Sequence, residues 1–188
     1  MAQVSTNEFK AGLKVEIDGE PYAIVTNEFV KPGKGQPFNR VRVKHLLTGR
    51  VVEKTFKSGE KLDLADIEEN KMRLVYKESD SVTFMDDNTF DQLTVPLSII
   101  GDQEQWLIEE AVYDIVFYKG EPITVSPPTF MEMTIVDTAP GDRGNTASGR
   151  VLKPAITDSG AKIQVPIFVD QGEKIKVDTR TGEYVSRV

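Results

Sequence analysis

Short β-type runs separated by closely spaced turn signals constrain this chain more than any other feature. Leu13, Val15 and Ile17 alternate with Lys14, Glu16 and Asp18, so one side of the run is apolar and the other polar. Val116-Phe117-Tyr118, Ile123-Thr124-Val125, Met133-Thr134-Ile135-Val136, Ile163-Gln164-Val165 and Ile175-Lys176-Val177 are similar β-branched or aromatic runs. Asp18-Gly19, Lys119-Gly120, Pro140-Gly141, Ser159-Gly160 and Thr181-Gly182 punctuate them. One segment reads as a helix, Asp102 to Ala111, with Asp102 as its N-cap. Many short strands with regular turns and little helix lead to an all-β chain of small barrels.

The 188 residues divide at two polar or proline-rich stretches, Lys57-Ser58-Gly59-Glu60-Lys61 and Ser126-Pro127-Pro128. Three units result, 1–64, 65–127 and 128–188, each near the lower size limit for folding around its own core. Val15 to Ile24 and Val116 to Val125 share one pattern: strand, two-residue turn, Glu-Pro, strand. A common hairpin recipe explains this echo as well as a duplication does.

The stretch from Lys31 through Pro32, Gly33, Lys34, Gly35 and Gln36 to Pro37 joins two of these runs, Tyr22 to Val25 and Val41 to Lys44. Strands joined by a short Gly/Pro segment make a hairpin. Glycine on both sides leaves the Lys34 ammonium without a neighbouring side chain, at the end of a narrow finger. That geometry suits reaching into a negatively charged cavity, or being grasped by a modifying enzyme. Solvated turns also use such lysines, so the surrounding charge decides. Arg40, Arg42 and Lys44 alternate with Val41 and Val43, which makes one strand face cationic and the other core. Lys31 adds charge at the finger's base. A positive strand leading to a positive tip is the footprint expected for a phosphate backbone.

Net charge is −7, but it is unevenly spread. Residues 1–64 hold 11 basic and 8 acidic side chains, 65–127 hold 4 and 14, and 128–188 hold 8 of each. The first third thus suits nucleic acid, and the acidic middle third suits a basic protein surface. With no cysteine and one histidine, His45, the chain has no thiolate metal site, disulfide or Ser-His-Asp triad to offer. His45 is expected to pack or sit in solvent. No phosphate-loop, dinucleotide or zinc spacing occurs, and no metal or cofactor is expected. No apolar run approaches a membrane span, no signal peptide is visible, and a cytoplasmic protein is expected. The loop Gly141 to Arg150 is glycine-rich and carries Arg143 and Arg150, a pattern compatible with nucleic-acid contact.

Taken together, these residues resemble the bacterial elongation factor P family. Lys31 to Gln36 looks like the family's tip, and Lys153, Ala155, Gly160, Ile163, Val165-Pro166, Val169 and Gly172 fall at its C-terminal spacings. The ending Lys176 to Arg187 matches as well. The resemblance implies an SH3-like (KOW-like) barrel followed by two OB-fold barrels in an L-shaped, tRNA-like arrangement. It implies a factor, not an enzyme, that binds both ribosomal subunits between the peptidyl and exit sites, next to the P-site tRNA; nothing in the sequence demands a dimer, and a monomer is expected.

Lys34 would match the lysine that reaches the peptidyl-transferase centre, with Pro32, Gly33 and Gly35 as its scaffold and Lys31, Arg40, Arg42 and Lys44 against tRNA or rRNA. In the branch most resembled, a ligase related to lysyl-tRNA synthetase attaches β-lysine to that position. Gly144, Asn145, Thr146 and Ala147 look like the family's segment near the exit-site codon. Asn145 replaces the usual acidic residue there, and Gly149-Arg150-Val151-Leu152 departs from the usual glycine-rich continuation.

The implied mechanism is positioning: a slow peptide bond between consecutive prolines accelerates when the P-site acceptor end is held in a reactive pose. A free single-strand nucleic-acid chaperone is the rival binding reading. Only Tyr22 and Phe38 are expected as aromatics near the basic strand, which disfavours it. A hydrolase is the rival enzyme reading, and no carboxylate constellation supports it.

Overall fold

The computed structural model describes residues 2–140 and 151–188. Among them, sixteen strands form three sheets, each curled as a small half-barrel, as the all-β expectation requires. The first sheet holds β1 (Gln3–Ser5), β2 (Lys14–Ile17), β3 (Glu20–Val30), β4 (Phe38–His45), β5 (Val51–Lys57) and β6 (Lys61–Leu64), in the order β1-β6-β2-β3-β4-β5. The second holds β7 (Ile67–Lys77), β8 (Ser81–Met85), β9 (Gln92–Pro96), β10 (Val112–Tyr118) and β11 (Glu121–Ser126), ordered β11-β10-β7-β8-β9. The third holds β12 (Phe130–Thr138), β13 (Leu152–Thr157), β14 (Lys162–Pro166), β15 (Lys174–Asp178) and β16 (Glu183–Arg187), ordered β14-β13-β12-β15-β16. No helix of the described residues is long and apolar enough to cross a membrane.

By contact density the chain forms two compact units, Met1–Glu69 with Val116–Thr124, and Asn70–Ile115 with Val125–Val188. The first unit is built on the alternation read from the sequence. Val15, Ile17, Ile24, Val41 and Val43 point inward and join Phe9 and Phe56 in one core, where the two rings meet edge to face at 5.8 Å. The outward residues of β4 are Arg40, Arg42 and Lys44, all exposed.

The two echoing hairpins share their turn geometry. Asp18-Gly19 and Lys119-Gly120 all take positive φ, at 53°, 78°, 51° and 82°, as a two-residue turn matching strand twist demands. The second turn also seals the first unit. The Tyr118 hydroxyl donates to Glu16 Oε1 at 2.6 Å, and the Lys119 ammonium lies 3.5 Å from the same oxygen. A largely buried carboxylate is thereby compensated. Desolvation and the Glu16 hydrogen bond both push the Tyr118 hydroxyl above its ordinary pKa.

The second unit corrects the helix expected over Asp102 to Ala111. A helical stretch begins earlier, as α1 (Leu97–Ile100), and continues as a 3-10 turn over Gly101–Trp106. Asp102 lies inside that turn rather than capping it. The reason is Tyr113, whose buried hydroxyl accepts from the Ile108 N–H at 2.8 Å and donates to the Trp106 carbonyl at 2.7 Å. A continuing helix would need those same groups. Trp106 and Leu107 are buried by the escape, and Glu110, at φ 73°, completes it. Burial pushes the Tyr113 hydroxyl up to about 12.

Two outcomes are expected. Ile24→Ala should cost about 2–5 kcal/mol in chemical denaturation, whereas Arg42→Ala, on the outer face beside it, should stay within about 0.5 kcal/mol. Stability should also fall with alkaline pH in a window set by Tyr113. Its folded pKa is raised, so its contribution is complete below the ordinary value of 10.0 and is lost as pH climbs toward about 12. Tyr113→Phe should flatten that alkaline slope in denaturation curves, and should cost about 1–3 kcal/mol at neutral pH by stranding the Ile108 N–H and Trp106 carbonyl.

Candidate functional site

The β3–β4 hairpin is longer than its sequence suggests. β3 does not end at Val25 but runs on to Val30, and pairing continues without a break in the ladder from Thr26↔Arg42 to Val30↔Phe38. A β-bulge between Ile24 and Thr26 leaves Val25 without an opposite residue. The connecting loop is 31–37, with Lys34 at its centre and exposed. Pro32 and Pro37 fix φ near each end of this loop, and the Pro37 carbonyl accepts the Ser58 N–H at 3.2 Å. The tip is therefore restrained from both sides.

The two glycines at the tip do different things. Gly35 sits at φ +138°, where an L side chain is strained, and an added Cβ would touch Pro32 Cγ at 3.5 Å. Gly33 carries no such φ, and a Cβ there would meet nothing within 4 Å. Its lack of a side chain simply leaves Lys34 clear.

The root of the finger is held by a buried amide chain that sequence reasoning missed. Asn39, 3% exposed, donates to Asn27 Oδ1 at 2.9 Å, and Asn27 donates to the Phe9 carbonyl at 3.1 Å. Each buried polar group is satisfied, which fixes the hairpin to the core without an apolar residue. At the other end of β4, His45 packs, as one of its two expected placements. Its Nδ1 accepts the Leu47 and Thr48 N–H groups at 3.2 and 3.1 Å, so Nε2 carries the proton and donates to Glu20 at 2.5 Å. Tyr22 meets the ring edge-on at 4.8 Å.

The cations expected along the finger differ in their freedom. Arg40 lies between Glu28 and Glu53, 3.6 and 3.5 Å away, and 5.9 Å above the Phe38 ring. These exposed pairs add little stability but hold the guanidinium in place and offset its charge. Lys31, Lys34, Arg42 and Lys44 have no side-chain partner among the described residues. Phe29 was also missed. It stands opposite Asn39, 58% exposed, on the finger itself. A strand read as ending at Val25 leaves Phe29 in a loop, which hid it. The expected codon-proximal residues Gly144, Asn145, Thr146 and Ala147 lie outside the described residues.

Carboxylates elsewhere have structural partners. The Arg73 guanidinium grips Asp87 at 3.1 and 2.9 Å and holds its carboxyl below the usual range. Asp86 is lowered by the Asn70 amide and by the Asn88 and Thr89 N–H groups. No group of three or more His, Cys, Asp or Glu among the described residues is arranged to hold a metal ion.

Three family models match the chain: the elongation factor P (EF-P) KOW-like domain over residues 5–62, the elongation factor P (EF-P) OB domain over 67–125, and elongation factor P, C-terminal, over 131–187. "Elongation factor P 2" of Protochlamydia amoebophila is 66% identical over 188 residues, covering 100% of this chain and 99% of that protein. The protein of the same name from Chlamydia trachomatis serovar D is 60% identical with the same coverage. Among solved structures, eukaryotic translation initiation factor 5A from Methanococcus jannaschii matches with a TM-score of 0.55 at 25% identity, covering 67% of this chain and 92% of that one. An initiation factor eif-5a family protein from Naegleria fowleri shares the fold, with a TM-score of 0.55 at 15% identity over 66% and 94%. The chain belongs to the elongation factor P family and is a translation elongation factor rather than an enzyme.

Proposed function

We propose that this factor binds the ribosome between the peptidyl and exit tRNA sites and uses Lys34 to steady the acceptor end of the P-site tRNA, relieving stalls at consecutive prolines. The carrying observation is the unpartnered, glycine-flanked Lys34 ammonium at the end of a strand-paired finger. Family membership implies interaction with ribosome and tRNA. The finger supports a more specific role. Its outer face keeps Arg42 and Lys44 free for phosphate contact, while Arg40, matched by two carboxylates, contributes orientation more than charge.

The chemistry belongs to the ribosome, and the factor supplies order. Proline is a constrained nucleophile, and an acceptor end that wanders wastes encounters with it. Charge-assisted hydrogen bonds from a fixed ammonium to the tRNA backbone hold the reacting ester in place. A β-lysyl group added to Lys34 by a dedicated ligase extends the reach and supplies a second amine. The exposed tip suits such an enzyme, because nothing in the described fold must open to deliver the lysine. The three sheets and three family models support division into domains at 1–64, 65–127 and 128–188. Contact with both subunits, and with an exit-site codon through Gly144 to Ala147, rests on the family resemblance.

Lys34→Ala should keep the wild-type melting curve and slow tri-proline synthesis in a reconstituted translation system by a factor of hundreds or so, a loss of a few kcal/mol of positioning. Unchanged synthesis would remove Lys34 from this role. Peptide mass spectrometry of protein purified from its native cells should find Lys34 heavier by one lysyl group, and an unmodified Lys34 there would exclude the ligase.

A further inference from the structure

We propose that Phe29 is a stacking platform for an unpaired base of the tRNA acceptor end, a reading that rests on the role given to Lys34 above. Phe29 is a large apolar side chain, 58% exposed, on the outer strand of the three-stranded stretch that β3, β4 and β5 form beneath the loop. It contributes little to folding. The core rings Phe9 and Phe56 pack against each other, and Phe38 lies beneath Arg40, whereas Phe29 has no ring or cation partner among the described residues. Its opposite residue, Asn39, is committed to the amide chain at the root. The ring is thus presented on a rigid base with one face unclaimed.

The surroundings select the partner. Asn27, Glu28, Asn39 and Lys31 neighbour Phe29, so there is no continuous apolar patch for a protein to cover. Lys31 and Lys34 are the free cations next along the chain, while Arg40, Arg42 and Lys44 line the opposite face; an exposed aromatic followed by such cations is the arrangement that holds single-stranded nucleic acid, where each base offers a π-face and each phosphate a charge. Paired rRNA has its bases already stacked and offers a ring no such face. The tRNA acceptor end is unpaired. Lys34 follows Phe29 by five positions, a span of at most roughly 18 Å, so both side chains can engage one short single strand.

The test uses ribosomes carrying a P-site tRNA with 2-aminopurine in place of an unpaired acceptor-end adenine. Wild-type protein should quench its fluorescence on binding. Phe29→Ala should abolish the quench and weaken ribosome affinity about ten-fold, while Phe29→Trp should restore both. The melting temperature and the mass at Lys34 should match wild type in each variant. A quench that persists in Phe29→Ala, with Lys34→Ala still inactive in tri-proline synthesis, overturns this inference and leaves the Lys34 role standing. If Lys34→Ala is fully active, both fall. If Phe29→Ala is inactive because Lys34 has lost its modification, Phe29 serves protein docking instead, and the inference is overturned.

Discussion

Everything at the tip depends on the ladder between β3 and β4 and on what anchors it just beneath the loop. Eight opposed pairs, from Tyr22↔His45 to Val30↔Phe38, turn a flexible connection into a lever. β5 backs β4 over the same length, from Phe38↔Lys57 to Lys44↔Val51, so the lever is three strands wide up to its loop. The Asn39–Asn27–Phe9 chain ties its loop end to the body with hydrogen bonds, where the apolar core thins out. A buried amide tolerates fewer arrangements than a buried valine, because each donor and acceptor must be met. The polar anchor therefore specifies the finger's direction as well as holding it.

β4 serves two masters along its length. Val41 and Val43 belong to the core, while Arg42 and Lys44, one residue away, belong to the partner. Folding and recognition thus act on opposite faces of one strand and do not compete. The acidic side chains of this unit are placed to match. Glu28 and Glu53 bracket Arg40, whereas Lys31 and Lys34 further out are left unmatched. Positive character grows toward the end that reaches furthest.

Much of this was legible in the sequence, for identifiable reasons. Strict alternation revealed β2 and β4, and Asp18-Gly19 and Lys119-Gly120 revealed two hairpin turns, because period-two burial and left-handed turn residues are local signals. Gly-Lys-Gly between strands marked the tip. What stayed hidden is non-local. Thr26 to Val30 does not alternate cleanly, since a bulge interrupts its phase and its far end leaves the core, so the finger's length and Phe29 went unseen. Asn39 carries no local signal, because its partner Asn27 lies twelve positions away. The 102–111 segment reads as a helix with Asp102 as its N-cap. Only the Tyr113 hydroxyl, reaching back to Trp106 and Ile108, shows why it stops.

The bulge at Val25 carries a geometric consequence. Before it, even-numbered residues of β3 face inward, and after it odd-numbered ones do, as Ile24 opposite Val43 and Asn27 opposite Val41 show. If Val25 were instead drawn into the ladder opposite Arg42, the whole outer half of the strand would slip by one residue and turn over. Glu28 would then point where Phe29 does, and Phe29 would lie among the arginines. A finger of this kind can change length only by adding matched dipeptides to both legs, because any odd step that no bulge absorbs exchanges its two surfaces.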